Sequence, residues 1–198
     1  TKHTATEKEK ALFRLYVAVM KKETAEQAVH FAHEAIEMHG GNGYIEDFVT
    51  PRLLRDAQVL TVWEGTANIL GLEVLRLIGK YEIEKVFAEE MRERLESVRG
   101  SDKLGYELVR WIDVLEDGLD GLLDHVTEIK KLSYDLQTYY SKDIAKWVAE
   151  IFESVVAIEE AVKDDRQLRI AEVYLEDVWE RKSVHANPVK LVWFEEIV

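Results

Sequence analysis

Apolar residues along most of this chain recur at every third or fourth position, which is the spacing of one face of an α-helix. Residues 6–22 are apolar around much of each turn, so the helix that they predict is expected to pack on more than one side. Residues 24–39 predict a second helix, whose face of small residues, from Ala25 to Ala35, permits close approach of a neighbour. The N-terminal part of the chain is therefore predicted to be a pair of packed helices.

The same periodicity predicts helices through the rest of the chain, separated by short turns. Residues 40–52 are expected to form a loop, and residues 53–63 a short helix followed by an extended connector. Further helices are predicted at residues 67–79, 82–98, 102–118, 121–139, 142–163 and 166–182. Only 2 prolines and 10 glycines interrupt the chain. The predicted fold class is therefore all-α, an up-and-down helical bundle.

Composition narrows the class of protein and the partners to be expected. With 47% hydrophobic and 33% charged residues among 198, the sequence is typical of a soluble globular protein. Its net charge of −13 argues against a nucleic-acid partner and against an anionic membrane surface. The absence of cysteine excludes disulfides, thiolate metal sites and a cysteine nucleophile. No apolar stretch suggests secretion or membrane insertion, so a cytoplasmic location is expected.

The stretch from residue 39 to 76 is the most informative part of the sequence. Gly40, Gly41 and Gly43 permit backbone conformations with positive φ and leave room for a ligand to approach the main chain. The dipeptide formed by Asn42 and the following glycine marks a tight turn. An ordinary turn between helices does not require so many glycines, so this hairpin is interpreted as part of a binding site.

A second motif follows the hairpin at the start of an apolar-periodic helix. An apolar run ends at Trp63 and is followed by Glu64, Gly65 and Thr66. Thr66 occupies the position of a helix N-cap, where its hydroxyl is suited to accept a backbone hydrogen bond. Considered alone, Glu64 is most simply a solvated glutamate and Thr66 a helix cap. Only their combination with the hairpin indicates a site.

These two motifs resemble a known family. The runs AIEMHGGNGY and PRLLRDAQVLTVWEGTANIL, in this order and spacing, closely resemble the signature near the C-terminal end of flavin-dependent acyl-CoA dehydrogenases. The tryptophan before EGT is similar to the branch that includes the alkylation-response flavoproteins. The resemblance covers residues 5 to 80, and no motif is recognised beyond residue 82. It implies that residues 1–80 form part of the family's C-terminal helical bundle and that residues 81–198 are a helical extension packed on it.

The resemblance implies a catalytic role for Glu64. In the family, the matching glutamate removes the α-proton of an acyl-CoA thioester while the β-hydrogen leaves as hydride to the flavin. Its backbone N–H also helps to polarise the thioester carbonyl. The carboxylate must lie in a water-poor pocket to hold the proton that it takes, and Val62 and Trp63 beside it favour such a pocket.

The resemblance also implies four cofactor-binding residues. Thr66 and Asn68 match positions that contact FAD, and a helix N-terminus suits its anionic diphosphate. Gly41 matches a glycine whose backbone approaches a cofactor that is often bound mainly by a neighbouring subunit. Glu37 stands where many relatives have glutamine. The implied FAD contacts are therefore Gly41, Thr66, Asn68 and Glu37.

A metal site is the competing interpretation of one helix face. Glu26, His30, His33 and Glu37 are spaced by three or four residues and share this face. A carboxylate-bridged di-metal bundle requires a second helix with a Glu-x-x-His motif, and the sequence contains no such helix. We therefore predict a polar helix face and no metal site.

Two further segments are predicted to have structural roles. Arg52, Arg55 and Asp56 belong to the same block as the hairpin and are expected to form ion pairs that hold the loop against the bundle. The C-terminal run VKLVWFEEIV is apolar enough to dock against the helices.

Complete members of the resembling family contain an N-terminal helical domain, a middle β-domain that holds the flavin ring, and a C-terminal helical bundle. Because this sequence resembles only the last, it is expected to be a fragment that needs the missing domains, or a subunit that supplies them, to act on an acyl-CoA substrate. The isolated chain is expected to lack FAD and activity, and a homo-oligomer is expected. The alternative, from a different class, is a non-catalytic helical module that mediates assembly or partner binding.

Overall fold

The computed structural model describes residues 5–101, 105–180 and 192–197. Its regular secondary structure is entirely helical within these ranges, which confirms the predicted all-α class. None of the helices in the described ranges combines the length and the apolar character needed to cross a membrane. The helices are α1 (Glu7–His39), α2 (Gly41–Tyr44), α3 (Thr50–Leu60), α4 (Ala67–Tyr81), α5 (Ile83–Arg99), α6 (Tyr106–Ile129), α7 (Tyr134–Ala161), α8 (Asp165–Trp179) and α9 (Phe194–Ile197).

Helix α1 is a single helix of 33 residues, although the sequence predicts two helices that meet near residue 23. The polar residues at the expected junction bond within the helix instead of ending it. Thr24 Oγ1 donates a hydrogen bond to the Met20 carbonyl oxygen at 2.7 Å. Lys22 Nζ donates to Glu26 Oε2 at 2.8 Å, one turn further along. Since no glycine or proline lies at this point, nothing interrupts the backbone hydrogen bonds.

Helix α6 also continues where the sequence predicts a break. Gly118 and Gly121 lie inside this helix because tryptophan rings occupy the space beside them. A Cβ atom on Gly118 would lie 2.8 Å from Trp179 Cη2, and one on Gly121 would lie 3.2 Å from Trp147 Cζ2. These glycines therefore serve ring packing and do not terminate the helix.

The chain divides into two compact units. Unit 1 contains residues Thr1–Ile83 and Ile129–Lys146, and unit 2 contains Glu84–Glu128 and Trp147–Val198. In unit 1, α1 packs against α2, α3 and α4. The buried side chains of α1 and α4 include Leu12, Leu15, Val19, Val74, Leu75, Leu77 and Ile78. Burial of these large apolar groups is the main stabilising contribution to unit 1.

In unit 2, the described part of the C-terminal run docks on α8. Trp193 Nε1 donates a hydrogen bond to Glu172 Oε2 at 2.7 Å. The Arg169 guanidinium lies 4.8 Å from the centroid of the Trp193 ring and also pairs with Glu196. The predicted docking of this run is confirmed for residues 192–197, while its first residues lie outside the described ranges.

The ion pairs of Glu73 predict an acid-dependent contribution to the stability of unit 1. Arg76 donates two hydrogen bonds of 2.8 Å to Glu73, and Arg14 of α1 pairs with the same carboxylate at 2.8 Å. The hydrogen bonds from Arg76, with the nearby charges of both arginines, hold the pKa of Glu73 below its usual value. A carboxyl group with a lowered pKa stabilises the fold above its unfolded pKa, and this contribution is lost as the pH falls through the folded pKa.

We therefore expect Glu73→Gln to lower the free energy of unfolding by about 0.5–1 kcal/mol at neutral pH. The difference from the wild type should disappear in strong acid, as measured by urea unfolding at both pH values. Glu89→Gln, which changes an exposed glutamate, is the control and should have no comparable effect. If Glu73→Gln lowered the free energy of unfolding by the same amount in acid as at neutral pH, this assignment would be contradicted.

Candidate functional site

The glycine hairpin folds back on the end of α1. Gly40 ends the helix with φ of 56° and donates its N–H to the Glu37 carbonyl oxygen at 3.0 Å. A Cβ atom on Gly43 would lie 2.2 Å from the Ile36 carbonyl oxygen, so only glycine permits this contact. A Cβ atom on Gly41, by contrast, would have no heavy atom within 4 Å, and this residue is exposed. The hairpin is thus anchored through one glycine and presents the backbone of another.

The segment from residue 41 to 60 is more helical than the sequence predicts. Residues 41–44 form one helical turn and α3 begins at residue 50, because Pro51 lies in the first turn, where its missing N–H costs no hydrogen bond. Arg55 donates two hydrogen bonds to Glu46, of 2.7 and 2.9 Å, which lower the pKa of that carboxyl group. Arg52 Nε lies 3.5 Å from Asp56 Oδ2. Arg55 therefore ties the loop before α3 to that helix, whereas the Arg52–Asp56 pair lies within α3 and does not hold the loop.

The turn before α4 has an unusual backbone. Glu64 has φ of 56° and Gly65 has φ of 106°. A positive φ is uncommon for a residue with a side chain, and such strain is concentrated at functional sites. Thr66 is the N-cap of α4 with an extended backbone, as predicted, but its side chain makes no capping hydrogen bond. The side chain of the cap residue therefore leaves the N–H groups of the first turn of α4 to other acceptors.

The water-poor pocket expected around Glu64 is not formed by its neighbours in this chain. Glu64 is exposed, and the side chains beside it are also open, with Val62 62% and Trp63 57% exposed. The prediction that these two residues shield the carboxylate is wrong for the chain as it stands, because the turn at 61–64 directs them away from the core of unit 1.

The exposed apolar side chains of unit 1 extend well beyond this turn. They are Phe13, Val17, Phe31, Met38, Tyr44, Ile45, Phe48, Val49, Leu53, Val59, Leu60, Val62, Trp63, Ile69, Leu132, Tyr134, Leu136 and Tyr139. So many large exposed apolar groups are typical of a surface that binds another protein domain.

Asn68 lies in a groove that the sequence does not predict. This residue and Leu72 of α4 face Asp135, Tyr139 and Lys142 of α7 across a cavity of about 560 Å³ within unit 1. The sequence does not indicate this groove because α7 is distant from α4 along the chain and carries no recognised motif. The only signal in that region is a pair of adjacent tyrosines.

The predicted site residues form two groups, which lie near different parts of α1. Lys21 Nζ in the middle of α1 donates a hydrogen bond to the Gly65 carbonyl oxygen at 2.5 Å, which places the turn with Glu64 beside this part of the helix. Glu37 lies 16 residues further on, or about 24 Å along the helix axis. Within one chain, Glu37 and Gly41, which lies four residues after it, are thus well separated from the turn before α4.

His33 and Glu37, two of the four residues considered for a metal site, lie with Glu34 on an open helix face. Ligand atoms of His33, Glu34 and Glu37 lie within 4.8 Å of one another, but all three residues are exposed and come from the same helix. His33 Nε2 lies 3.4 Å from Glu37 Oε1. Such a face is typical of solvated ion pairs, so we retain the prediction of a polar helix face.

Comparison with known proteins gives one family. Residues 2–78 match the family model described as acyl-CoA dehydrogenase, C-terminal domain. Acyl-CoA dehydrogenase family member 11 of Caenorhabditis elegans is 33% identical over 157 residues, which are 77% of this chain and 25% of that protein. The putative acyl-CoA dehydrogenase AidB of Escherichia coli is 40% identical over 76 residues, 38% of this chain and 14% of that protein. The chain thus spans a quarter or less of the length of these relatives.

A solved structure extends the similarity to most of the chain. The crystal structure of Caenorhabditis elegans ACDH-11 in complex with C11-CoA matches with a TM-score of 0.76 and 28% identity, covering 96% of this chain and 32% of that one. Because the worm relative also aligns over 157 residues, the similarity includes residues beyond position 82. The sequence motifs do not reveal this part, since amphipathic helices can keep their packing without keeping a recognisable motif.

The two glycines of the hairpin provide a matched pair of substitutions. We expect Gly43→Ala to lower the free energy of unfolding by about 1–3 kcal/mol, because its methyl group would overlap the α1 backbone. Gly41→Ala should change it by no more than about 0.5 kcal/mol, since its methyl group meets open space. Urea unfolding of both variants measures the difference. Equal effects would show that the hairpin does not pack on α1 as described.

Proposed function

The chain belongs to the acyl-CoA dehydrogenase family, as its motifs predict, and on this premise we propose that it is the FAD-contacting and base-bearing part of a flavin-dependent oxidoreductase. The reaction is the α,β-dehydrogenation of an acyl-CoA thioester. Residues 1–80 are part of the C-terminal helical bundle of this enzyme, and residues 81–198 are its helical extension. The observation that carries the proposal is the EGT turn, with a left-handed Glu64 directly before the N-terminus of α4.

Glu64 is the proposed catalytic base. Its carboxylate takes the α-proton of the thioester, while the β-hydrogen leaves with its electron pair and a carbon–carbon double bond forms. Bound FAD supplies the acceptor for this hydride. The left-handed conformation supports the proposal because backbone strain of this kind is retained where a side chain has to be held in one direction.

The start of α4 fits the anionic part of FAD. The Thr66 side chain makes no capping hydrogen bond, and Asn68 in the first turn is exposed and lines the groove next to α7. Free N–H groups at a helix N-terminus suit a diphosphate without requiring a basic side chain. We propose that Thr66 and Asn68 contact the cofactor that serves the nearby Glu64.

The hairpin is proposed to contact a second FAD. Gly41 presents an open backbone, and Glu37 is exposed one helical turn before it, about 24 Å along α1 from the level of the EGT turn. This separation supports a role for both residues at a cofactor held mainly by a neighbouring subunit. A homo-oligomer is therefore part of the proposal.

The surface of unit 1 supports a requirement for further domains. The chain spans a quarter or less of its curated relatives, and Val62 and Trp63 are more than half exposed. We propose that the N-terminal and middle domains, on the same polypeptide or on a partner, cover this surface and exclude water from Glu64. Exposed apolar side chains also suit the alternative, a non-catalytic assembly module, and the experiments below separate the two.

The isolated chain should not retain FAD. Only the start of α4 and the hairpin would contact the cofactor, and partial sites bind weakly because few contacts offset the entropy lost on binding. Desalting the chain after incubation with excess FAD should leave a colourless protein in the visible spectrum. Flavin retained at one equivalent per chain would contradict the need for further domains.

In the assembled flavoprotein, meaning this chain with the N-terminal and middle domains, Glu64→Gln should abolish flavin reduction by acyl-CoA. The amide keeps the shape of the side chain but cannot accept the α-proton, so a loss of about 100-fold or more is expected with FAD still bound. Stopped-flow absorbance at the flavin band measures the rate.

Glu82→Gln is the matched control, because Glu82 is the other described non-glycine residue with positive φ, at 48°. It should reduce flavin at the wild-type rate. Near wild-type reduction by Glu64→Gln would place the base elsewhere, and a wild-type assembly that binds acyl-CoA without flavin reduction would favour the non-catalytic alternative.

A further inference from the structure

One long-range hydrogen bond reaches the turn that carries Glu64. The Lys21 ammonium group, in the middle of α1, donates to the Gly65 carbonyl oxygen at 2.5 Å across 44 residues of sequence, in a partly buried position. A hydrogen bond from a charged donor is stronger than one between neutral groups. Partial burial strengthens it further, because water competes less for the carbonyl oxygen.

The bonded carbonyl lies at the centre of the proposed site. Gly65 has φ of 106° and follows Glu64 with φ of 56°, so two consecutive residues hold left-handed conformations. The Gly65 oxygen also shares a peptide plane with the N–H of Thr66, and in a trans peptide these two groups point in opposite directions. A donor that fixes the carbonyl therefore fixes the direction of the Thr66 N–H and limits rotation of the backbone next to Glu64.

The position of Lys21 relative to α4 is itself fixed. Arg14 lies two turns earlier on the same face of α1 and pairs at 2.8 Å with Glu73, which lies in the second turn of α4. The earlier residue of α1 thus meets the later residue of α4, so the two helices run antiparallel. With α4 held in this register, the Lys21 ammonium group is presented to the turn before the helix.

We propose that Lys21 is a positioning residue, which holds the Glu64-Gly65-Thr66 turn in the conformation that aims the glutamate side chain and the N–H group of Thr66, the N-cap of α4. The effect of Lys21 on catalysis rests on the proposed function, whereas its effect on the conformation of the turn does not. Lys21 contacts a backbone oxygen and not a reacting atom, so it acts through Glu64 and Thr66.

The stabilisation of the turn by Lys21 can be measured on the chain alone, by hydrogen–deuterium exchange and mass spectrometry. Lys21→Met removes the charged donor, and we expect the hydrogen-bonded amides on either side of the turn, Trp63 (to Val59) and Leu70 (to Thr66), to exchange at least about 10-fold faster. Lys21→Arg, which retains a cationic donor, should restore slow exchange. Lys8→Met makes the same chemical change at an exposed position of α1 and should leave these amides unaffected. Exchange in the Lys21→Met chain at the wild-type rate would overturn the proposal.

The catalytic consequence requires the assembled flavoprotein. Lys21→Met should lower kcat for flavin reduction by at least about 10-fold while KM for acyl-CoA stays within about 2-fold, because the substrate still binds but Glu64 is misdirected. Lys21→Arg should recover most of kcat. A contact that only stabilised the fold would change the exchange rates and leave kcat intact.

The two measurements also distinguish the failure of this inference from that of the proposed function. If the wild-type assembly reduces flavin and Lys21→Met does so at the same rate, the positioning role is overturned and the proposed function stands. If the wild-type assembly does not reduce flavin, the proposed function fails, and faster exchange in Lys21→Met still supports the hold on the turn. Fast exchange that Lys21→Arg fails to restore would overturn the requirement for a cationic donor.

Discussion

The continuity of α1 is the constraint on which the arrangement of unit 1 depends. This helix of 33 residues ends at the hairpin, and its middle contacts the EGT turn through Lys21. The hairpin is fixed by the close approach of Gly43 to the Ile36 carbonyl, and the turn by the hydrogen bond from Lys21. A break near residue 23, as the sequence pattern suggests, would leave the two motifs without a defined separation. An unbroken helix sets it at about 24 Å.

This separation supports different roles for the two motifs in the proposed function. The turn before α4 combines a carboxylate, a strained backbone and a helix N-terminus whose cap side chain makes no capping bond, which are the components of a site for chemistry on an anionic cofactor complex. The hairpin offers an open backbone at Gly41. In the proposed function a single chain supplies parts of two sites, and the exposed apolar side chains of unit 1 are available for contact with other domains.

The sequence predicts the fold class and the local form of the motifs, because both depend on short-range patterns. It places Thr66 at the N-cap and the arginine pairs near the hairpin correctly. The sequence-based prediction fails where tertiary contacts determine the local structure. Thr24 bonds back to the preceding turn of α1, and Gly118 and Gly121 accommodate tryptophan rings inside α6, so residues that commonly end helices do not end them here. The groove beside Asn68 and the contact from Lys21 join distant segments and leave no pattern in the sequence.

In the proposed function, Glu64 faces the reacting carbon of an acyl-CoA in a site completed by domains outside this chain. A crystal structure of the assembled flavoprotein with FAD and a non-reactive acyl-CoA analogue tests it most directly. We expect the Glu64 carboxylate to lie within about 3–3.5 Å of the α-carbon of the acyl group, Thr66 to contact the cofactor, and Val62 and Trp63 to be covered by protein. A Glu64 side chain that remains in solvent, with FAD contacting neither α4 nor the hairpin, would contradict it.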